Sequence, residues 1–151
     1  ILKSMSRYGV SSNQVNLEIT ESAASYNQSV MSENLERLSA AGLTFSLDDY
    51  GTGYSNMYRI AALPLKIVKL DKTFVNNQNS KMWTILQNSV RMIKDLNMEI
   101  VVEGIETEEM VKKFSDLKCD FIQGYFFSKP IPQREFVEFI DRWNNRQKVN
   151  A

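Results

Sequence analysis

Residues 44–56, TFSLDDYGTGYSN, lead an alternating apolar stretch into two adjacent aspartates and a glycine-rich turn. Phe45 and Leu47 alternate with polar residues as far as Asp48, which is the period-two pattern of a β-strand with one apolar and one polar face. Adjacent carboxylates repel each other, so a buried pair requires a cation or several hydrogen-bond donors nearby. An ordinary acidic turn is the alternative, because Asp and Gly both favour turns.

Four other segments have the composition of short strands, and each carries a polar residue near its C-terminal end. Helical patterns separate them. Alternating strands and helices without a long linker predict parallel strands joined by right-handed crossovers. The strand segments are VNLEIT (15–20), KIVKLD (66–71), EIVVEG (99–104) and FIQGYF (121–126), and the helical segments are 32–41, 82–96, 107–117 and the stretch after Pro132.

Glycines mark the ends of two helices, since Gly42 follows segment 32–41 and Gly9 follows the helix-like opening ILKSM. Residues 55–63, SNMYRIAAL, have a weaker helical pattern. The final helix is expected to bury its apolar stripe, which consists of Phe136, Val137, Ile140 and Trp143.

Both a doubly wound sheet and a TIM barrel fit this order, and the strand faces favour the barrel. Glu18 and Thr20 share one face of VNLEIT, as Ser46 and Asp48 share one face of the strand at 44–49. Helices cover both faces of a doubly wound sheet, so two such polar faces would be costly to bury there. A barrel gathers the C-terminal ends of its strands at one mouth. We therefore expect Glu18, Asp48, Lys69, Glu103 and Gln123 to converge.

Composition narrows the chemistry. The 151 residues suit one domain, and 18 basic and 18 acidic side chains cancel, which argues against binding to a nucleic acid polymer. No apolar stretch reaches the roughly 18 residues of a membrane span, and no signal-peptide pattern is present, so we expect a cytoplasmic segment without membrane contact.

The absence of histidine excludes histidine triads and His-rich zinc sites and favours hard metal ions such as Mg²⁺ or Mn²⁺. The lone Cys119 is expected to be a buried, inert thiol.

Each candidate residue also has an alternative interpretation as an ordinary structural or surface residue. Glu18 is either a buried carboxylate that needs a cation or a solvated edge residue. Lys69 is either a cation within the acidic site, with Asp71 on the same face, or an ordinary edge charge. Glu103 either reaches the barrel mouth or begins a loop in water, and Gln123 either binds a base or a metal-bound water or is a core amide.

Two adjacent carboxylates suit a two-metal site in which one aspartate bridges both ions. Asp48 and Asp49 are the candidates for this arrangement, whereas Glu21 and Glu106 are either loop-anchoring residues or surface acids. Acidic ligands, a lysine and an amide on five successive strand ends, without histidine, indicate metal-assisted hydrolysis of a phosphate ester.

Five motifs occur in order and together resemble the later motifs of the EAL domain, a cyclic di-GMP phosphodiesterase of bacterial signalling. The resemblance runs from about Val15 to Pro132, and residues 1–151 are identified as the C-terminal part of one such domain. The motifs are EITES, DDYGTGYSN, LPLKIVKLDKTFV, VVEGIETEE and QGYFFSKPIP.

The resemblance implies a TIM barrel with an antiparallel first strand and two Mg²⁺ or Mn²⁺ ions that activate water to open cyclic di-GMP to linear pGpG. By motif, Glu18 and Asp48 would be metal ligands, Asp49 would serve the second metal, and Glu103 would be a ligand or general base. Lys69 would contact the water or phosphate, with Asp71 beside it and Gln123 completing the network. The remaining matches, Glu21 and Glu106, would steady the loop after the aspartates, which the family uses in metal-site ordering and dimerisation.

The family's Glu-Ala-Leu motif and a further asparagine ligand belong to strands that precede those matched here. About five of the eight barrel strands are therefore expected, and a truncated chain would expose two strand edges and pair them with another copy. Such a chain is expected to hydrolyse little substrate alone. The parent could carry upstream diguanylate cyclase (GGDEF) or sensory domains, or a membrane anchor.

Two other functions remain open at this stage. A catalytically inactive EAL domain would act as a cyclic di-GMP receptor or protein-interaction module, although retention of the acidic residues and Lys69 argues against it. A different metal-dependent barrel enzyme, of the enolase kind, would use carboxylates and lysine as well, but the DDYGTGYS and QGYFFSKP segments disfavour it.

Overall fold

The computed structural model describes residues 1–24, 28–52, 57–77 and 79–149. Within these ranges, one parallel sheet has the order β1-β2-β3-β4-β5. Its strands are β1 (Asn16–Thr20), β2 (Thr44–Tyr50), β3 (Ile67–Leu70), β4 (Glu99–Val102) and β5 (Phe121–Ile122). The helices are α1 (Leu2–Tyr8), α2 (Glu21–Ala24), α3 (Gln28–Ala40), α4 (Met57–Ala62), α5 (Lys72–Val75), α6 (Ser80–Asp95), α7 (Glu108–Asp116) and α8 (Gln133–Val149).

The strand order decides between the two architectures that the sequence allowed. A doubly wound sheet reverses its strand order at a switch point, whereas each strand here pairs with its neighbours in the chain. The α/β, TIM-barrel-like class with five strands is therefore confirmed. Strands β1 and β5 form the two edges of the described sheet.

The apolar face of β2 lies in the main core, as its alternation predicts. Phe45 is fully buried and Leu47 is 2% exposed. On the opposite face, the Asn16 side-chain amide donates to Thr44 Oγ1 at 3.1 Å and accepts a hydrogen bond from Ser46 Oγ. These polar contacts join β1 to β2 below the strand ends, so the polar face is satisfied by cross-strand pairing.

Helix ends follow the glycine signals. Gly9 caps α1 in the left-handed conformation with φ 67°, and α3 ends at Ala40 just before Gly42, which has φ 91°. Helix α4 lies within the weak pattern at 55–63, of which Ser55 and Asn56 fall outside the described residues.

Strand β5 is shorter than the sequence predicts. The predicted strand 121–126 ends at Ile122, because Gly124 turns the chain against the backbone of Ile105. Ile105 N donates to Gln123 O at 3.2 Å, and Phe126 N donates to Ile105 O at 3.0 Å. The chain therefore leaves the sheet immediately after the strand and binds to the loop that follows β4.

The predicted burial of the α8 stripe is wrong for this chain. Trp143 keeps aromatic contacts with Phe127 and Phe139, at ring-centroid distances of 5.9 and 6.0 Å, but no described segment covers the stripe as a whole. Amphipathic periodicity identifies an apolar face without identifying what packs on it. The exposed fractions of the stripe residues are Phe136 51%, Val137 54%, Ile140 36% and Trp143 38%.

Among the helices of the described ranges, none has both the length and the apolar composition of a membrane span.

We predict that Gly124→Ala destabilises the protein more than Gly9→Ala. A Cβ at Gly124 would lie 2.0 Å from Ile105 O, whereas a Cβ at Gly9 meets no atom within 4 Å. Gly9→Ala should cost about 1–2 kcal/mol through its left-handed backbone alone, and Gly124→Ala about 3 kcal/mol or more because backbone must move. Urea unfolding of the two variants measures the difference, and equal losses would contradict the close approach.

Candidate functional site

Lys69 lies at the centre of an acidic cluster at the C-terminal ends of adjacent strands. Its Nζ is 3.0 Å from Glu18 Oε1, 2.9 Å from Asp48 Oδ1 and 2.9 Å from Glu103 Oε1. These residues come from β1, β2 and the position directly after β4, while Lys69 itself lies on β3. Parallel pairing brings the four strand ends together, so residues 85 positions apart in sequence share one ammonium group.

The three carboxylates keep the Lys69 side chain charged. Burial alone lowers the pKa of Lys69, but hydrogen bonds from its ammonium to Glu103, Asp48 and Glu18 outweigh burial and raise that pKa well above its usual value of 10.5. A group that stays protonated at neutral pH cannot act as a general base. Three carboxylates around one ammonium leave a surplus of two negative charges in the cluster, which can attract further cations.

A β-bulge places the two adjacent aspartates. Leu47 pairs with Val68 and Tyr50 pairs with Leu70, so Asp48 and Asp49 together lie opposite the single residue Lys69. Asp49 has the left-handed φ of 59°, which aspartate tolerates better than most residues. Bulges of this kind re-aim side chains next to active sites. Strict alternation would instead turn Asp49 to the apolar side of the sheet.

The turn after the aspartates is held by three hydrogen bonds. The Asp49 carbonyl accepts from Thr52 N at 3.3 Å and from Thr52 Oγ1 at 3.0 Å. Glu21, which is 4% exposed, accepts from Gly51 N through Oε2 at 3.3 Å. This contact has the geometry that a loop-anchoring Glu21 requires. Residues 53–56 of the same motif lie outside the described residues.

Three predicted site residues lie apart from the Lys69 cluster. Asp71 caps α5 by accepting from Thr73 N at 2.8 Å, and it is not among the ion-pair partners of Lys69. Gln123 follows β5, is exposed, and joins the structure through its backbone, because its N donates to Val102 O at 2.8 Å. Glu106 is exposed in the loop before α7.

Sequence reasoning missed the contact that fixes the end of β2. The Tyr50 phenol donates to Ser89 Oγ on α6 at 3.1 Å, and both residues are buried. Burial raises the pKa of Tyr50, the Ser89 hydrogen bond opposes this effect, and the charge of Glu21 adds to it. The two residues are 39 positions apart, and no local pattern signals such a pairing.

Cys119 lies outside the cluster, at the turn after α7. Burial raises the pKa of its thiol to about 11, with Lys94 opposing and Asp120 reinforcing the shift. The thiol is therefore protonated at neutral pH and is a poor nucleophile.

The donor set fits a hard divalent cation. The donors are carboxylate oxygens, and the cluster has surplus negative charge. Asp48 Oδ1 is shielded from solvent, and the cation beside it is Lys69 Nζ at 2.9 Å. Within the described ranges, no three acidic or thiol side chains are arranged around a metal position. The group that lies among the carboxylates is Lys69 Nζ.

Comparison with known proteins places this arrangement in a family, because the EAL domain model matches residues 1–130. The chain belongs to the EAL domain family. The membership expected from the motifs is thus confirmed, and the acidic cluster lies within the matched region.

Several proteins similar to this EAL segment carry cyclic di-GMP in their names or have structures solved in complex with it. The cyclic di-GMP phosphodiesterase NbdA of Pseudomonas aeruginosa is 36% identical over 126 residues, which are 82% of this chain and 16% of NbdA. The structure of the PaMucR phosphodiesterase in complex with cyclic di-GMP has a TM-score of 0.84 at 33% identity, over 89% of this chain and 56% of that one. Klebsiella pneumoniae BlrP1, solved with manganese and cyclic di-GMP, has a TM-score of 0.79 at 27% identity, over 85% of this chain and 33% of that one. This segment therefore spans only part of each relative's length.

We predict that Lys69→Met destabilises the protein much more than Lys66→Met. Lys69→Met leaves three converging carboxylates without their cation, which should cost about 2–4 kcal/mol given their partial exposure. Lys66 forms one exposed ion pair with Glu99 at 3.8 Å, worth about 0–1 kcal/mol. Urea unfolding of both variants at low salt tests the difference, and equal losses would contradict a stabilising role for Lys69.

The stabilising effect of Lys69 should depend on pH only in the alkaline range. Because the folded-state pKa of Lys69 is raised above its usual 10.5, its stabilising effect is complete below pH 10.5 and declines as the pH rises toward the folded-state value. The difference in unfolding free energy between wild type and Lys69→Met should therefore be constant from about pH 7 to 9 and fall only above the usual lysine pKa. A fall near neutral pH would contradict the assignment.

Proposed function

We propose that the full-length protein hydrolyses cyclic di-GMP to linear pGpG with two divalent metal ions, Mg²⁺ or Mn²⁺, at the mouth of an EAL barrel. The observation that carries the proposal is the convergence of Glu18, Asp48 and Glu103 on Lys69. The names of the relatives, several of which are cyclic di-GMP phosphodiesterases, supply the substrate.

The chain's own carboxylates would hold the metals. Glu18, Asp48 and Asp49 are the proposed metal ligands, and Glu103 would be either a further ligand or the general base. The bulge that puts Asp48 and Asp49 opposite one residue supports this assignment. Divalent ions bound to such oxygen ligands lower the pKa of a coordinated water and neutralise charge on a phosphoryl group.

The remaining residues have roles set by their charge and position. As the general base, Glu103 would accept the proton of the attacking water. The Lys69 ammonium would donate to a phosphate oxygen and offset the negative charge that develops there. The water oxygen would bond to phosphorus as one P–O3′ bond breaks, and the leaving 3′ oxygen would take up a proton, so the ring opens to a linear dinucleotide with a 5′ phosphate. Gln123 and Asp71 are proposed to complete the hydrogen-bond network.

The loop residues are proposed to act indirectly. Glu21 holds the turn after the aspartates through Gly51 N, and Glu106 is assigned to the same positioning role by motif alone. Homodimerisation through this region is part of the proposal, as is pairing of the exposed strand edges in a truncated chain. The receptor-only alternative lacks a supporting contact, because binding without hydrolysis does not require the converging carboxylates.

We expect Asp48→Asn to abolish hydrolysis by the full-length protein. Loss of one metal-binding carboxylate should reduce kcat about 100-fold or more, by analogy with removal of a single transition-state-stabilising group. Product formation from cyclic di-GMP, followed by chromatography in the presence of Mn²⁺ or Mg²⁺, measures the effect.

Asp95→Asn is the matched control, since Asp95 is exposed at the end of α6 and forms only a 4.0 Å ion pair with Arg91. It should retain wild-type activity. Unchanged hydrolysis by Asp48→Asn would remove Asp48 from the site. Tight binding of cyclic di-GMP by the wild type without any pGpG would favour the receptor alternative instead.

A further inference from the structure

The bulge at the aspartates has a defined boundary on each side. Before it, Leu47 pairs with Val68, and after it, Tyr50 pairs with Leu70. Tyr50 is thus the first residue to return to the sheet register, and its carbonyl accepts from Asp71 N at 3.1 Å. The direction of the Tyr50 side chain therefore determines how the chain passes through Asp48 and Asp49.

Tyr50 points to the helix layer. It is 3% exposed, its ring meets Phe74 of α5 edge-on at a centroid distance of 6.0 Å, and its phenol donates to Ser89 Oγ. Strict alternation from Leu47 would instead put Asp49 on the helix side and Tyr50 on the site side. The tyrosine contacts are those of a strand whose phase has shifted by one residue.

Ser89 is a polar residue on a helix face that otherwise packs in the core. It is 4% exposed and lies among Leu86, Val90 and Ile93, which are at most 4% exposed. A buried hydroxyl pair is satisfied only in one relative position of the two groups, whereas apolar packing tolerates small shifts. The Tyr50–Ser89 hydrogen bond therefore fixes the orientation of the Tyr50 side chain, whereas the ring alone would only fill space in the core.

We propose that Tyr50 and Ser89 form a positioning pair for the metal site. Their hydrogen bond ties the end of β2 to α6 and fixes the phase shift of the bulge, which keeps the Asp48 and Asp49 carboxylates on the side of Lys69. Neither residue touches substrate or metal. This inference rests on the proposed function for its effect on turnover, but its effect on the bulge is independent of that function.

The test uses Tyr50→Phe, Ser89→Ala and the double variant in the full-length protein. Phenylalanine keeps the ring and its contact with Phe74 but lacks the hydroxyl that donates to Ser89 Oγ. Each single variant should weaken Mn²⁺ binding, measured by titration calorimetry, about 3- to 10-fold, as expected for one buried hydrogen bond. Each should lower kcat with little change in KM, and the double variant should be no worse than the worse single variant.

Val90→Ala is the matched control, because Val90 is the next residue on α6 and equally buried. It should lower the melting temperature at least as much as Tyr50→Phe while leaving Mn²⁺ affinity unchanged. If Tyr50→Phe also lowers only the melting temperature and spares Mn²⁺ affinity and kcat, the hydrogen bond is a packing contact and the proposal is overturned.

Hydrogen exchange without metal separates this proposal from the proposed function. Gly51 N and Thr52 N donate hydrogen bonds at the turn after the bulge. Their exchange should accelerate in Tyr50→Phe and Ser89→Ala but not in Val90→Ala, even if the wild type neither binds Mn²⁺ nor hydrolyses cyclic di-GMP. Unchanged exchange at these amides would overturn the proposal whatever the catalytic result.

Discussion

Neutralisation of three converging carboxylates by one ammonium group is the interaction on which this site depends. Glu18, Asp48 and Glu103 all lie within 3.0 Å of Lys69 Nζ, which brings three like charges into one partly buried region where they repel one another. Four strand ends can meet only because the third strand carries a cation between the acidic ones. The same carboxylates are the oxygen donors that the proposed metal ions would use, so Lys69 and the metals would draw on one set of charged groups.

Much of the architecture follows from period-two patterns. Alternation in residues 44–48 predicted the buried face of β2, and the shared parity of Glu18 and Asp48 predicted that they meet. Parity fails at Asp49, because a bulge inserts one residue and changes the phase. The predicted length of β5 is also wrong, because the backbone of Gly124 packs directly on the backbone of Ile105 and ends the strand. Single-strand patterns contain no information about such three-dimensional crowding.

Contacts between distant elements mark the other limit of sequence reasoning. The apolar stripe of α8 was recognisable, but whether another segment covers Phe136 and Val137 depends on neighbours that periodicity does not identify. Likewise, Ser89 interrupts an apolar helix face and alone would suggest a tolerated polar residue. Its meaning emerges only when β2 brings Tyr50 to the same point. The candidate acids were predictable, whereas the groups that orient them were not.

The contact of Gly124 with Ile105 also bears on how this surface can evolve. Ile105 N binds Gln123 O and Phe126 N binds Ile105 O, so the segments after β4 and β5 are joined as one unit. Glu103 and Gln123 are therefore held at a spacing that does not depend on the side chains of the turn beyond them. These bonds join backbone groups, so they do not depend on which side chain residue 126 carries. Side chains of the turn can therefore change in evolution while the backbone link between the segments after β4 and β5 persists.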